Sequence, residues 1–217
     1  MQNYFTVSIT IEAICLIFSI ICLANDKSNV WRSLILYLLI TCIAECTGLF
    51  VSGMHHNNHW VYNIFLVFEG GFSHLMFAYL FRKFNSNKPI FIGLVAFLLT
   101  YTYEIFNHGF FRYNNLTYTI LSIEIVLYSL YFYYLLLKDN QYIDLKYSGE
   151  FWWVGGALFF YFGNTACNIF DDKLYSIMIT DKQHLSYLIF KALNVILYSC
   201  WCYSFICKKW MRTRSRV

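Results

Sequence analysis

Charge is scarce in this chain. Asp, Glu, Lys and Arg make up 13% of its 217 residues, while 59% are hydrophobic and 22% aromatic, and there is one proline. Soluble domains carry about 25% charged residues, so a water-solvated globule is excluded. Long polar linkers are missing as well, and residues 1–217 read as a single domain. The first apolar run has no basic start and no small-x-small site before Asn25, and it holds Glu12, so it reads as a helix of the mature protein and not as a cleaved signal. Cysteines are present, but all eight fall inside apolar runs. None lies in an outer loop where oxidation would pair it, which excludes a disulfide framework.

What remains is a polytopic membrane protein. About 20 apolar residues cross the roughly 30 Å of hydrocarbon in a bilayer. Seven runs approach or reach that length: Tyr4–Leu23, Leu34–Ser52, Trp60–Phe81, Pro89–Phe106, Leu116–Leu137, Phe151–Phe170 and Leu185–Cys207. The expected fold is all-α, an integral membrane bundle of seven helices. With the N-terminus outside, the inner segments collect Lys27, Arg32, Arg82, Lys83, Lys88, Lys138, Lys146 and the basic tail from Lys208 to Arg216. The outer loops keep only Arg112, Lys173 and Lys182. Positive residues stay on the cytoplasmic side. The expectation is therefore N-terminus outside, C-terminus cytoplasmic, in the cell inner (cytoplasmic) membrane. The tail suits an anionic leaflet, and no nucleic acid is expected as a partner.

Polar residues inside these runs are costly, about 2.5–3.5 kcal/mol for an ionised side chain at the helix centre, and so mark sites of function. The third run, Val61–Phe81, carries Asn63, Glu69, Ser73 and His74. Glu12 lies in the first run, Glu45 in the second and Glu124 in the fifth. The sixth has Tyr161, Asn164, Thr165, Asn168 and Asp171 at steps of three and four, and the seventh has Tyr187, Lys191, Asn194 and Tyr198. At 1.5 Å per residue, Glu12, Glu69, Glu124 and Asn194 lie about 12–14 Å below the outer ends of their helices, with Glu45 and Asn164 at about 9–11 Å. That is one polar layer in the outer half. The expected ligand-binding set is Glu69, Glu45, Asn164, Asn194, Glu12, Glu124, Lys191, Asn63, Asn168 and Tyr187. Carboxyls with amides and one lysine suit a small polar or cationic ligand.

Aligning the first three helices with the last three places Glu12 on Glu124, Glu45 on Asn164 and Glu69 on Asn194. A 3+1+3 parallel repeat, with the fourth helix as inverting connector, has this form and is a transporter plan. Other chemistry is weaker. His55 and His59 would meet on a helical turn and bind a metal, but no cysteine or acid stands beside them to complete the set. Ser73 and His74 are adjacent, so they point about 100° apart and form no nucleophile–base pair. Lys191 stands where a retinal Schiff base would form, yet the sixth run has no proline and the third no arginine near Glu69. Neither an enzyme nor a cofactor is expected.

Three segments taken together, Tyr62-Asn63-Ile-Phe-x3-Glu69, Phe160-Tyr-Phe-Gly163-Asn164 and Leu193-Asn194-Val-Ile-Leu, resemble an uncharacterised group of bacterial seven-helix membrane proteins of the Bacteroidetes type, some found beside sensor kinases. Glu12 and Lys191 lie outside those motifs. The resemblance implies a sensing or accessory role through a membrane or cytoplasmic signalling partner, and brings no established activity with it.

Overall fold

A computed structural model describes residues 7–139, 144–170, 174, 177–180 and 183–214. Asp171, Lys173, Lys182 and Arg216 lie outside the described residues, as do positions 4–6 of the first expected span. Seven long helices follow in order: α1 Val7–Leu23, α2 Asn29–Gly53, α3 His59–Arg82, α4 Lys88–His108, α5 Asn115–Lys138, α6 Gly149–Ile169 and α7 Leu185–Arg214. A single 3-10 turn, Leu145–Tyr147, precedes α6. Two very short strands, β1 Met178–Thr180 and β2 Gln183–His184, pair antiparallel before α7. By length and composition α2, α3, α4, α5 and α7 could each cross a membrane, and α1 is a shorter apolar helix.

Local chemistry explains where helices start and stop. Pro89 sits in the first turn of α4, where its missing N–H costs no hydrogen bond. Gly109, at φ 75°, ends α4 in a conformation that side chains resist. Ser148 caps α6 by accepting from the Phe151 N–H at 3.3 Å. Glu104 on α4 accepts from the Leu116 and Thr117 N–H groups at 3.0 and 2.8 Å and from the Thr117 hydroxyl at 2.7 Å. A carboxylate at a helix N-terminus satisfies orphan donors and meets the positive end of the dipole. This contact fixes the α4–α5 corner. α7 continues to Arg214, beyond the expected end at Cys207, because its last turns have partners: Lys208 pairs with Glu150, and Arg212 with Asp26 at 3.9 Å.

The helices pack as a ring. α1 lies against α2 and α7, α2 against α3, α3 against α5, α5 against α6 and α6 against α7, while α4 sits outside on α3 and α5. α4 buries only Ile90, Gly93, Phe97 and Glu104, one stripe at helical spacing. Its other faces expose Phe91, Ile92, Leu99 and Phe106, the last 88% exposed. Apolar surface on this scale suits lipid, not water. α6 and α7 meet closely: a Cβ on Gly156 would stand 3.1 Å from the Leu197 carbonyl, and the Ser204 hydroxyl donates to the Gly149 carbonyl at 2.7 Å. Gly70 serves differently from the backbone approach its Gly-Gly pair suggests. It receives the Phe97 ring, 2.4 Å from where a Cβ would be, and Gly71 faces open space.

The dry core fills the half of the bundle away from the N-terminus of α1. Trp153 stacks on Trp201 at 5.5 Å, Tyr37 stacks on Phe72 at 4.3 Å, and Trp31, Phe81 and Phe205 are fully buried. The other half opens into a cavity.

Candidate ligand cavity

The cavity, about 570 Å³, lies between α1, α2, α3, α5, α6 and α7 at the end that holds the α1 N-terminus. α1 contributes Glu12, α2 Glu45 and α3 Glu69; α6 contributes Asn164 and Asn168; α7 contributes Tyr187, Lys191 and Asn194. Helical spacing aims these residues inward. Asn164 and Asn168 are one turn apart, as are Tyr187 and Lys191, and Lys191 and Asn194.

Each carboxyl has a tyrosine beside it. Tyr161 of α6 donates to Glu69 Oε1 at 2.5 Å, which ties α3 to α6, while Tyr198 of α7 neighbours Glu12 and Tyr62 of α3 neighbours Glu45. Glu12 is 4% exposed, and its Oε2 has no hydrogen-bond partner among the described residues. A buried polar atom left this way costs about 1–3 kcal/mol, which a bound donor would recover. Asn164 donates to the Tyr118 hydroxyl at 2.6 Å, and Asn194 donates to Phe190 O of its own helix at 3.2 Å. Lys191 Nζ lies 4.2 Å from the centre of the Tyr187 ring. Burial grades toward the opening: Glu12, Glu69 and Asn164 are buried, Glu45, Lys191 and Asn194 half-buried, Asn168 and Tyr187 exposed.

Tyrosine is the component that sequence reasoning undercounts. Tyr37, Tyr62, Tyr113, Tyr118, Tyr161 and Tyr198 all line the cavity. Tyr161 and Tyr198 repeat at three and four residues from the amides, so their signal was present. Tyr37, Tyr113 and Tyr118 carried none. Burial, with the Glu69 carboxyl adding to it, holds the Tyr113 phenol in the loop before α5 above the ordinary tyrosine range, so it stays a donor.

No protein-family model, curated protein or solved structure matches this chain. The site is therefore read from its own geometry.

Two residues of the expected ligand-binding set lie elsewhere. Asn63 is fully buried, but it organises the α4–α5 loop: its amide donates to Phe110 O at 2.8 Å and Arg112 O at 2.7 Å, and its Oδ1 accepts from the Asn114 N–H at 3.1 Å. It stands near the start of α3, about 9 Å along the helix from Glu69 at 1.5 Å per residue, and reaches the loop instead. Glu124 faces α3 on the other side, with Oε2 3.3 Å from His74 Nε2. His74 Nδ1 is 2.7 Å from the Gly70 carbonyl, an acceptor only, so Nδ1 carries the hydrogen. Glu124 is thus answered by a histidine outside the cavity.

The metal alternative finds no support in its premise. His55 has φ 61°, so the turn around it is not helical, and α3 begins at His59. Among the described residues no group of three or more His, Cys, Asp or Glu could hold a metal.

Proposed function

We propose that this protein is a receptor-like sensor of the cytoplasmic membrane that binds a small organic cation in the cavity and acts through a membrane or cytoplasmic signalling partner. One observation carries the reading: Glu12, Glu45 and Glu69, each with a tyrosine beside it, line one cavity whose walls are rich in tyrosine and phenylalanine. Carboxyls neutralise an ammonium group, and tyrosine faces attract it further through the ring quadrupole. A volume of about 570 Å³ lies within the range of small-molecule sites and far exceeds a bare ion. Lys191 near the opening would meet an acidic group if the ligand is a zwitterion.

The distribution of Lys and Arg supports the N-terminus outside, which turns the cavity outward. Below it, Tyr37 stacked on Phe72 and Trp153 stacked on Trp201 form an aromatic floor, which favours sensing over passage. A transporter of 3+1+3 architecture is the second reading. It is favoured by two of the three aligned pairs, Glu45 with Asn164 and Glu69 with Asn194, lining the same cavity.

Purified protein in nanodiscs, titrated with primary, quaternary and zwitterionic amines by calorimetry, tests binding. Glu69→Gln is expected to weaken the binding of a permanently charged quaternary amine about tenfold or more, the loss of one charge-assisted contact. Binding of neutral polyols in preference to all amines would refute the cation reading. Uptake of the bound amine into liposomes would select the transporter. Cysteines placed at Asn57 and Lys138 and labelled from outside intact cells report orientation: labelling at 57 and not at 138 is expected.

A further inference from the structure

A second and larger hollow, about 870 Å³, lies at the opposite end of the bundle, between the C-terminal ends of α3, α5 and α7 and the turn that leads into α6. Its floor is apolar. Leu80 and Phe132 are 4% and 3% exposed, and Leu136 and Met211 extend the same surface toward the rim. The rim is cationic, with Arg82, Lys83 and Arg214.

The rim charges are not equivalent. Lys83 is paired with Asp139 at 3.7 Å, and the rim acid Glu150 is taken by Lys208. Asp144, which accepts the Lys146 N–H at 3.2 Å, keeps its charge at the side of the groove lined by the turn into α6. Arg82 has no carboxylate partner among the described residues. Arg214 lies over the Trp210 ring at 5.0 Å, and Trp210 stacks on Tyr147 at 4.5 Å. Two guanidiniums without a carboxylate partner among the described residues therefore stand at the mouth of an apolar groove, with a tryptophan and a tyrosine beside them. Aromatic residues of this kind mark the membrane–water boundary, and basic pockets between helices at that level suit lipid head groups.

We propose that this groove binds one anionic phospholipid, its phosphate held by Arg82 and Arg214 and an acyl chain laid along Leu80, Phe132 and Leu136. The combination decides the ligand class. A soluble phosphate would use the rim and leave the floor uncovered. A zwitterionic lipid brings its own ammonium, which competes with the arginines for the phosphate. Arginine suits this role because its planar fork can bond two phosphate oxygens at once. The site is separate from the carboxyl cavity and does not depend on what that cavity binds.

Native mass spectrometry of the full chain in mild detergent tests it, with dioleoyl phosphatidylglycerol, dioleoyl phosphatidylcholine and glycerol phosphate as probes. One phosphatidylglycerol per chain should be retained in preference to phosphatidylcholine. Arg82→Gln with Arg214→Gln should reduce that retention about thirtyfold, from roughly 1 kcal/mol per basic residue at an anionic surface. Arg82→Lys with Arg214→Lys should keep it within about threefold by the same charge argument, which separates loss of charge from loss of fold. Equal retention of the two lipids, or unchanged retention in the glutamine variant, would overturn the proposal. So would displacement by equimolar glycerol phosphate, which points to a free-anion site, or a co-purifying polypeptide that excludes the lipid.

Discussion

Asn63→Ala measures how far a buried amide in this bundle is structural. The side chain is fully buried and makes three hydrogen bonds, at 2.8, 2.7 and 3.1 Å, to the backbone between Phe110 and Asn114. Each is worth about 1 kcal/mol net, so the truncation should cost about 3 kcal/mol. The carbonyls of Phe110 and Arg112 would lose a shared donor, and the loop could recover them only by opening to water. Asn63→Asp keeps the shape but sets a carboxyl against two carbonyls, so it should cost more than alanine. For a chain of this length the alanine variant should melt about 6–12 °C lower. Reversible unfolding in mixed micelles of dodecyl sulfate gives the free energy, and Ile64→Ala, at an exposed neighbour, controls for nonspecific effects. A loss below about 0.5 kcal/mol for Asn63→Ala would refute the bonding scheme, being the scale of ordinary surface substitutions.

The His74–Glu124 pair should behave as one unit. His74→Leu alone strands a buried carboxyl and should cost about 3–5 kcal/mol, while His74→Leu with Glu124→Leu should recover most of it; additive losses would argue against the pair. Gly48→Ala places a Cβ 2.6 Å from the Tyr62 hydroxyl, which should push that ring from Glu45 and weaken amine binding, whereas Gly71→Ala, facing open space, should leave it unchanged in the same titration. Glu104→Ala removes the cap of α5 and should cost about 1–2 kcal/mol, seen as faster hydrogen exchange at residues 116–118; unchanged exchange there would contradict the cap.

The helices were legible because hydrocarbon leaves the backbone no partner but itself. Each apolar run lies on a helix among the described residues; α4 begins beside Pro89 as expected, while α2 starts at Asn29, ahead of the expected Leu34. The last helix overran its apolar stretch because Lys208 and Arg212 found carboxylates, Glu150 and Asp26, far away in sequence. Depth was legible in the same way, since rise per residue is fixed.

Azimuth was not. Glu124 sits at the depth of the carboxyl layer yet faces His74, and Asn63, near the start of α3, serves the α4–α5 loop. Helical spacing says which residues share a face, but only packing says what that face meets. The order of the ring, with α4 outside and α7 closing on α1, decides this. Sequence by itself determined seven helices and where along them the polar groups lie. The tertiary structure decided which of those groups meet around one cavity, because rotation about a helix axis is fixed by its neighbours.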